Sequence, residues 1–209
     1  ITADELREHG YRTIPQALRN VPGILVQETA HGHGSPFIRG HTGFRNLFLI
    51  DGIRLNNSVF RAGPNQYWNT VDPLSLDRIE IVKGPSSVLY GSDAIGGTLQ
   101  AFTRSPYGYG ESPFFGGALD LRATSAAANY GIGRMEVSAT NGDTVGLLVG
   151  ASLKDFGDIR GGSDIGDMPN TGYDEWAGDI KLEHFLGDNL RLVFAHQELH
   201  QDNLPRTHS

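Results

Sequence analysis

VDPLSLDRIEIVKGPSSVLYGSDAIGGTLQAFTR, residues 71–104, is the stretch whose reading decides the fold. Within it Ile79–Lys83 (IEIVK) is dense in β-branched residues and reads as a buried strand. Gly84-Pro85 ends that strand, because proline cannot donate to a ladder and glycine permits a sharp bend. Ser86 or Ser87 is placed to cap one helical turn running to Tyr90. Gly91, Gly96 and Gly97 break the turn, and Thr98–Arg104 alternates like a second strand. The sum is a small mixed unit of strand, turn, helical turn, glycine corner and strand, in which backbones approach closely. These glycines do not form a phosphate cradle. Neither G-x-G-x-x-G nor G-x-x-x-x-G-K-[ST] occurs, and no long helix follows to present its N-terminus.

The same residues carry a family resemblance. IEIVKGPSSVLYGSDAIGG resembles the plug-domain signature of TonB-dependent outer-membrane receptors, and Phe37–Gly40 (FIRG) and Leu49–Asn56 (LIDGIRLN) agree with it in kind and order. The resemblance covers Ile1 to Pro106 and implies a plug domain over residues 1–106, an α+β unit with a small mixed sheet and short helices. One position departs from the pattern: many family members carry arginine where this chain has Lys83, which removes bidentate pairing there.

Composition bounds the rest. A length of 209 residues suits one or two domains. A net charge of -7, without a long basic run, argues against a nucleic-acid surface. With no cysteine there are no disulfides or thiolate metal sites. The 28 glycines favour a turn-rich β protein. No apolar run approaches the ~20 residues of a membrane helix, but membrane β-strands are alternating segments of ~10 residues that hydropathy hardly registers. Ile1 follows neither a charged start nor an apolar leader, so the chain reads as a processed piece of a longer protein.

Before the central stretch, Thr2–Glu5 and Thr13–Gln16 both match capping boxes, opening helices through about Glu8 and Asn20. Pro22-Gly23 ends the second, and Ile24–Glu28 reads as a strand. Ala30–Pro36 (AHGHGSP) reads as a glycine-rich loop carrying His31 and His33, with His41 just beyond. Three close histidines admit a metal or haem reading, and equally one of solvent-exposed loop side chains. Asp51-Gly52 suits a hairpin turn. Asn56–Thr70 is polar, aromatic and aperiodic, the character of a functional loop.

In the family the apical loops of the plug face the extracellular ligand. The resemblance therefore implies ligand contacts from His31, His33, Asn56, Asn57, Phe60, Arg61, Tyr67 and Trp68. Rings and a guanidinium supply stacking and charge-assisted bonds to a large ligand. Packing of Tyr67 and Trp68 against the barrel wall is the competing expectation. Arg39, Arg78, Glu80 and Lys83 flank strands and are expected to form ionic contacts between plug and barrel.

Two prolines and two glycines in Ser105–Pro113 mark a linker, placed at residues 107–113. Beyond it the period becomes two. Phe115–Thr124, Ile132–Thr140, Val145–Asp155, Tyr173–Phe185 and Leu190–His200 read as five strands, with a phase break near Gly133. Tight turns at Asn141–Asp143 and Gly187–Asn189 alternate with the longer loop Phe156–Gly172, and Trp176 suits an aromatic girdle. Residues 114–209 are therefore expected to be antiparallel strands of an incomplete transmembrane β-barrel, since a barrel that holds a plug needs about 22 strands.

The resemblance implies ligand-gated active uptake across the outer membrane of a Gram-negative bacterium. The cargo would be a small-molecule metal chelate: a ferric siderophore, haem or cobalamin. Outer-membrane lipid and the TonB–ExbB–ExbD complex would be the partners, with no resident cofactor or metal and no catalytic residues. A soluble extracellular β-rich binding module is the alternative. An enzyme ranks third, because no nucleophile such as Ser35 or Ser86 is visibly paired with a base.

Overall fold

The fold comes from a computed structural model, which describes residues 1–30, 32–56, 63–64, 67–125, 129–162 and 164–204. The chain divides into two compact units, Ile1–Thr103 and a second beginning at Arg104.

The first unit opens with α1 (Ala3–Glu8) and α2 (Ile14–Leu18). Thr2 and Glu5 form the complete reciprocal capping box. Thr13 caps Gln16, but the Gln16 side chain accepts from the Arg12 backbone instead, at 2.8 Å, so the second box is half formed. Next come β1 (Ile24–Ala30) and β2 (His33–Ile38), an antiparallel hairpin of its own. The glycine-rich loop expected over Ala30–Pro36 is thus mostly strand, because ladder pairing with β1 captures residues whose local composition suggests a turn.

The main sheet has the order β4-β3-β6-β5, built from β3 (Asn46–Ile50), β4 (Ile53–Arg54), β5 (Leu76–Lys83) and β6 (Gly97–Thr103). Strands β3 and β6 run parallel; the outer pairs are antiparallel. Asp51 and Gly52 both sit at positive φ, 48° and 82°, as a two-residue primed turn requires. Between β5 and β6 lies α3 (Ser87–Tyr90). Ser86 stands at its N-cap without a side-chain capping bond; its hydroxyl pairs with Thr98 at 2.7 Å. The glycine corner is a packing device: a Cβ on Gly97 would lie 2.7 Å from the Val82 carbonyl and 2.9 Å from Ile38 Cγ2. The core joins Leu6, Ile14 and Leu18 from the helices to Ile38, Phe48, Leu76, Ile79 and Leu99 from the strands.

The second unit is one antiparallel sheet, order β13-β12-β9-β8-β7. Its strands are β7 (Phe114–Thr124), β8 (Tyr130–Thr140), β9 (Val145–Phe156), β12 (Tyr173–Leu186) and β13 (Leu190–Asp202). A two-residue hairpin, β10 (Ile159–Arg160) with β11 (Asp167–Met168), stands in the loop before β12. The β7–β8 and β8–β9 registers run without a shift through Gly133, so no phase break occurs there; Ile132 shares the face of Arg134 and Glu136. The five strands form an open sheet, the incomplete barrel that strand length and alternation predict.

Candidate functional site

The two faces of the five-stranded sheet are chemically opposite, and their burial is the inverse of a water-soluble domain's. Leu119, Leu121, Met135 and Leu153 share one face and are each 60% exposed or more. The other face carries Arg134, Glu136, Lys154, Glu175 and Glu183, all buried to 5% exposure or less. An apolar band on the outside with charge on the inside is the arrangement of a membrane barrel wall.

Those buried charges are paired. Arg134 donates to Asp179 at 2.7 and 3.1 Å, to Glu136 at 3.2 Å and to Ser152 at 3.3 Å. Lys154 meets Glu175 at 2.5 Å, and Gln201 donates to the second oxygen of Glu175 at 2.7 Å. Arg191 pairs with Glu183. Every one of these charges thus has an opposite charge within reach, on its own strand, on another strand or on the connector, which makes their burial tolerable.

The segment Arg104–Pro113 lies along this polar face. Arg104 donates to both oxygens of Glu136 at 2.8 Å. The Ser138 hydroxyl accepts from the Tyr107 N–H and donates to the Tyr107 carbonyl, both at 2.9 Å. Thr140 donates to the Gly108 carbonyl at 3.1 Å, and the Gly110 N–H donates to the Gly142 carbonyl at 3.0 Å. Tyr109 donates to Glu183 at 3.3 Å and packs edge-on against Phe185. Burial and the adjacent Glu183 push its phenol up to about 12, so it remains a donor.

The apical residues expected to touch a ligand separate on inspection. His31, Asn57, Phe60 and Arg61 lie outside the described residues. His33 is buried in β2, not presented on an open loop. Trp68 is 2% exposed and stacks on Phe48, ring centroids 4.1 Å apart, in the core of its own unit. Asn56 is also structural: its oxygen accepts from the Phe48 N–H and its amide donates to the Asn46 carbonyl, each at 2.9 Å. Tyr67 is half-buried at the start of a short 3-10 turn, Tyr67–Thr70.

The four ionic residues are described within the first unit. Arg78 bonds Glu80 at 2.8 Å and Asp77 at 3.1 Å while its guanidinium lies 3.8 Å from the Phe102 ring centre. Lys83 donates to the Pro22 carbonyl at 2.9 Å. Arg39 is exposed at φ 51° with its guanidinium against Gly84. A cluster that sequence reading missed is Arg54, which donates to Asp93 at 2.9 Å, Ser92 at 3.1 Å and the Tyr90 carbonyl at 3.2 Å, tying β4 to the glycine corner. Among the described residues no group of three His, Asp or Glu side chains could hold a metal ion, and no helix is long and apolar enough to cross a membrane.

Comparison with known proteins agrees with both units. The profile of the TonB-dependent receptor plug domain matches residues 1–98. The chain thus carries the plug domain of the TonB-dependent outer-membrane receptors. Among its relatives, the vitamin B12 transporter BtuB of Vibrio vulnificus is 38% identical over 107 residues, 50% of this chain and 17% of that protein. The iron-regulated outer membrane virulence protein of Vibrio cholerae is 38% identical over 109 residues, 50% of this chain and 16% of that protein. The chain therefore spans about a sixth of the length of the curated relatives it matches. In fold it is similar to the pyoverdine outer membrane receptor FpvA of Pseudomonas aeruginosa, with a TM-score of 0.72, 21% identity, and coverage of 96% of this chain and 27% of that one. This TonB-dependent receptor chain is accordingly an outer-membrane protein of Gram-negative type, from a family of receptors and transporters.

Proposed function

We propose that the chain supplies the plug and part of the wall of a ligand-gated transporter that carries a small metal chelate across the outer membrane, driven by the TonB–ExbB–ExbD complex. The observation that carries this reading is the sheet with an exposed apolar face and a buried, ion-paired charged face, on a chain whose other unit is a plug domain. An apolar outer band matches lipid, and a polar interior is the rule for outer-membrane barrels that enclose a channel or a plug.

The cargo class rests on relatives named for vitamin B12 and for iron regulation, and on a structural neighbour that binds pyoverdine. A ferric siderophore or a cobalamin leads. Haem stands behind them, since burial of His33 removes part of the histidine argument. Ligand contact is assigned to the aromatic and guanidinium chemistry of Phe60 and Arg61, and to the polar groups of Asn57, His31 and Tyr67.

The test is accumulation of radiolabelled ferric siderophore, haem and cobalamin by cells that depend on the receptor containing this chain. One of the three should accumulate, and removal of TonB should abolish its uptake. Accumulation of none, or uptake indifferent to TonB, would overturn the proposal.

A further inference from the structure

Ser105–Pro113 has the composition of a slack tether, yet the structure binds its first part, together with Arg104, through Gly110. Arg104 chelates one carboxylate of β8, Ser138 and Thr140 on the same strand take backbone groups of Tyr107 and Gly108, and Tyr109 reaches Glu183 on β12. Pro106 is buried, while Ser105 beside it is exposed. Beneath Tyr109 the wall residue is Gly146, where an added Cβ would lie 2.8 Å from Pro106 Cβ. The wall is thus shaped for this segment.

We infer that residues 104–110 are a fixed clamp on the barrel wall that stays seated when the plug rearranges during transport. The contact set makes the choice between a clamp and a tether. Releasing the segment would strip Glu136 of one of its two arginine partners, and would free two hydroxyls and several backbone groups at once. Charge-assisted and buried bonds of this kind are costly to leave unmade, and here they would be lost together. This inference rests on the transport reading for its motion, but not for its bonds.

The chain has no cysteine, which allows a direct test with single thiols in the intact receptor. P106C places a thiol under the clamp and S105C one beside it, and each is exposed to a small maleimide in whole cells. P106C should react at least about tenfold more slowly than S105C, the protection of a segment that rarely opens. The rate should not change when cargo is added to energised cells, and E136A or S138A should raise it. Equal rates for P106C and S105C at rest would overturn the clamp whether or not any cargo is transported. Faster P106C labelling only in energised cells during uptake would overturn the permanently seated clamp while leaving transport standing. Absence of uptake would count against the transport reading alone, and the resting rates would still decide the clamp.

Discussion

Single residues in the plug show how little an aromatic side chain reveals of its own purpose. Trp68 stands in an aperiodic, polar segment, where its ring suggests a ligand platform; in the structure it stacks on Phe48 in the core. Trp68→Ala should therefore lower the stability of the plug by about 3–5 kcal/mol, through lost burial and the cavity left behind. Differential scanning calorimetry of the receptor in detergent would register this as a lower plug transition. A transition left in place, together with weakened cargo binding, would return Trp68 to the ligand site. Asn56 was equally illegible, because its role is to bond the backbone of β3 ten residues earlier in the chain. A contact of that range leaves no local pattern. What a residue's neighbours in sequence do determine, such as the Thr2–Glu5 capping box and the Asp51-Gly52 turn, was readable and correct.

At the level of elements, the alternation of apolar and polar residues located all five wall strands, since a period of two survives in any ten-residue window. Its failures were local. Ile132 looked like a slip of phase because it is apolar on the charged face, and only unbroken pairing with β7 and β9 shows that the register holds. The hairpin β1–β2 was half hidden for a related reason: β2 begins His-Gly-Ser-Pro, a turn composition overridden by its partner strand. That hairpin also packs on α2, and Gly34 is the point of closest approach, where an added Cβ would lie 2.6 Å from Pro15 Cβ. Gly34→Val should force α2 away from β2 at a cost of about 1–3 kcal/mol, the range for an overpacked contact. Hydrogen exchange of the α2 amides would show it as faster opening of that helix alone. Unchanged exchange there would mean that helix and hairpin are not mechanically coupled.

For the whole molecule, the inversion of burial between the two sheet faces matters more than any single site. The sequence made the alternation visible but not which face is covered, because a soluble sandwich and a membrane wall share the same period. The distinction came from geometry: Arg134, Lys154 and Glu183 are interior and paired, while Leu121 and Leu153 stand in the open. The ion pairs tie β8 and β9 to β12 and β12 to β13, and the clamped connector extends the network by one more arginine. The most direct measurement of this account is a nitroxide scan of the intact receptor in bilayers, with spin labels at Leu119, Leu121, Met135 and Leu153 on one face and at Ser138 and Ser152 on the other. The account predicts that the four labels of the first set collide with dissolved oxygen and are shielded from a water-soluble nickel reagent, whereas those at Ser138 and Ser152 show little of the oxygen contact that lipid gives. Nickel accessibility at Leu119, Leu121, Met135 and Leu153 equal to that of a water-exposed loop would contradict it.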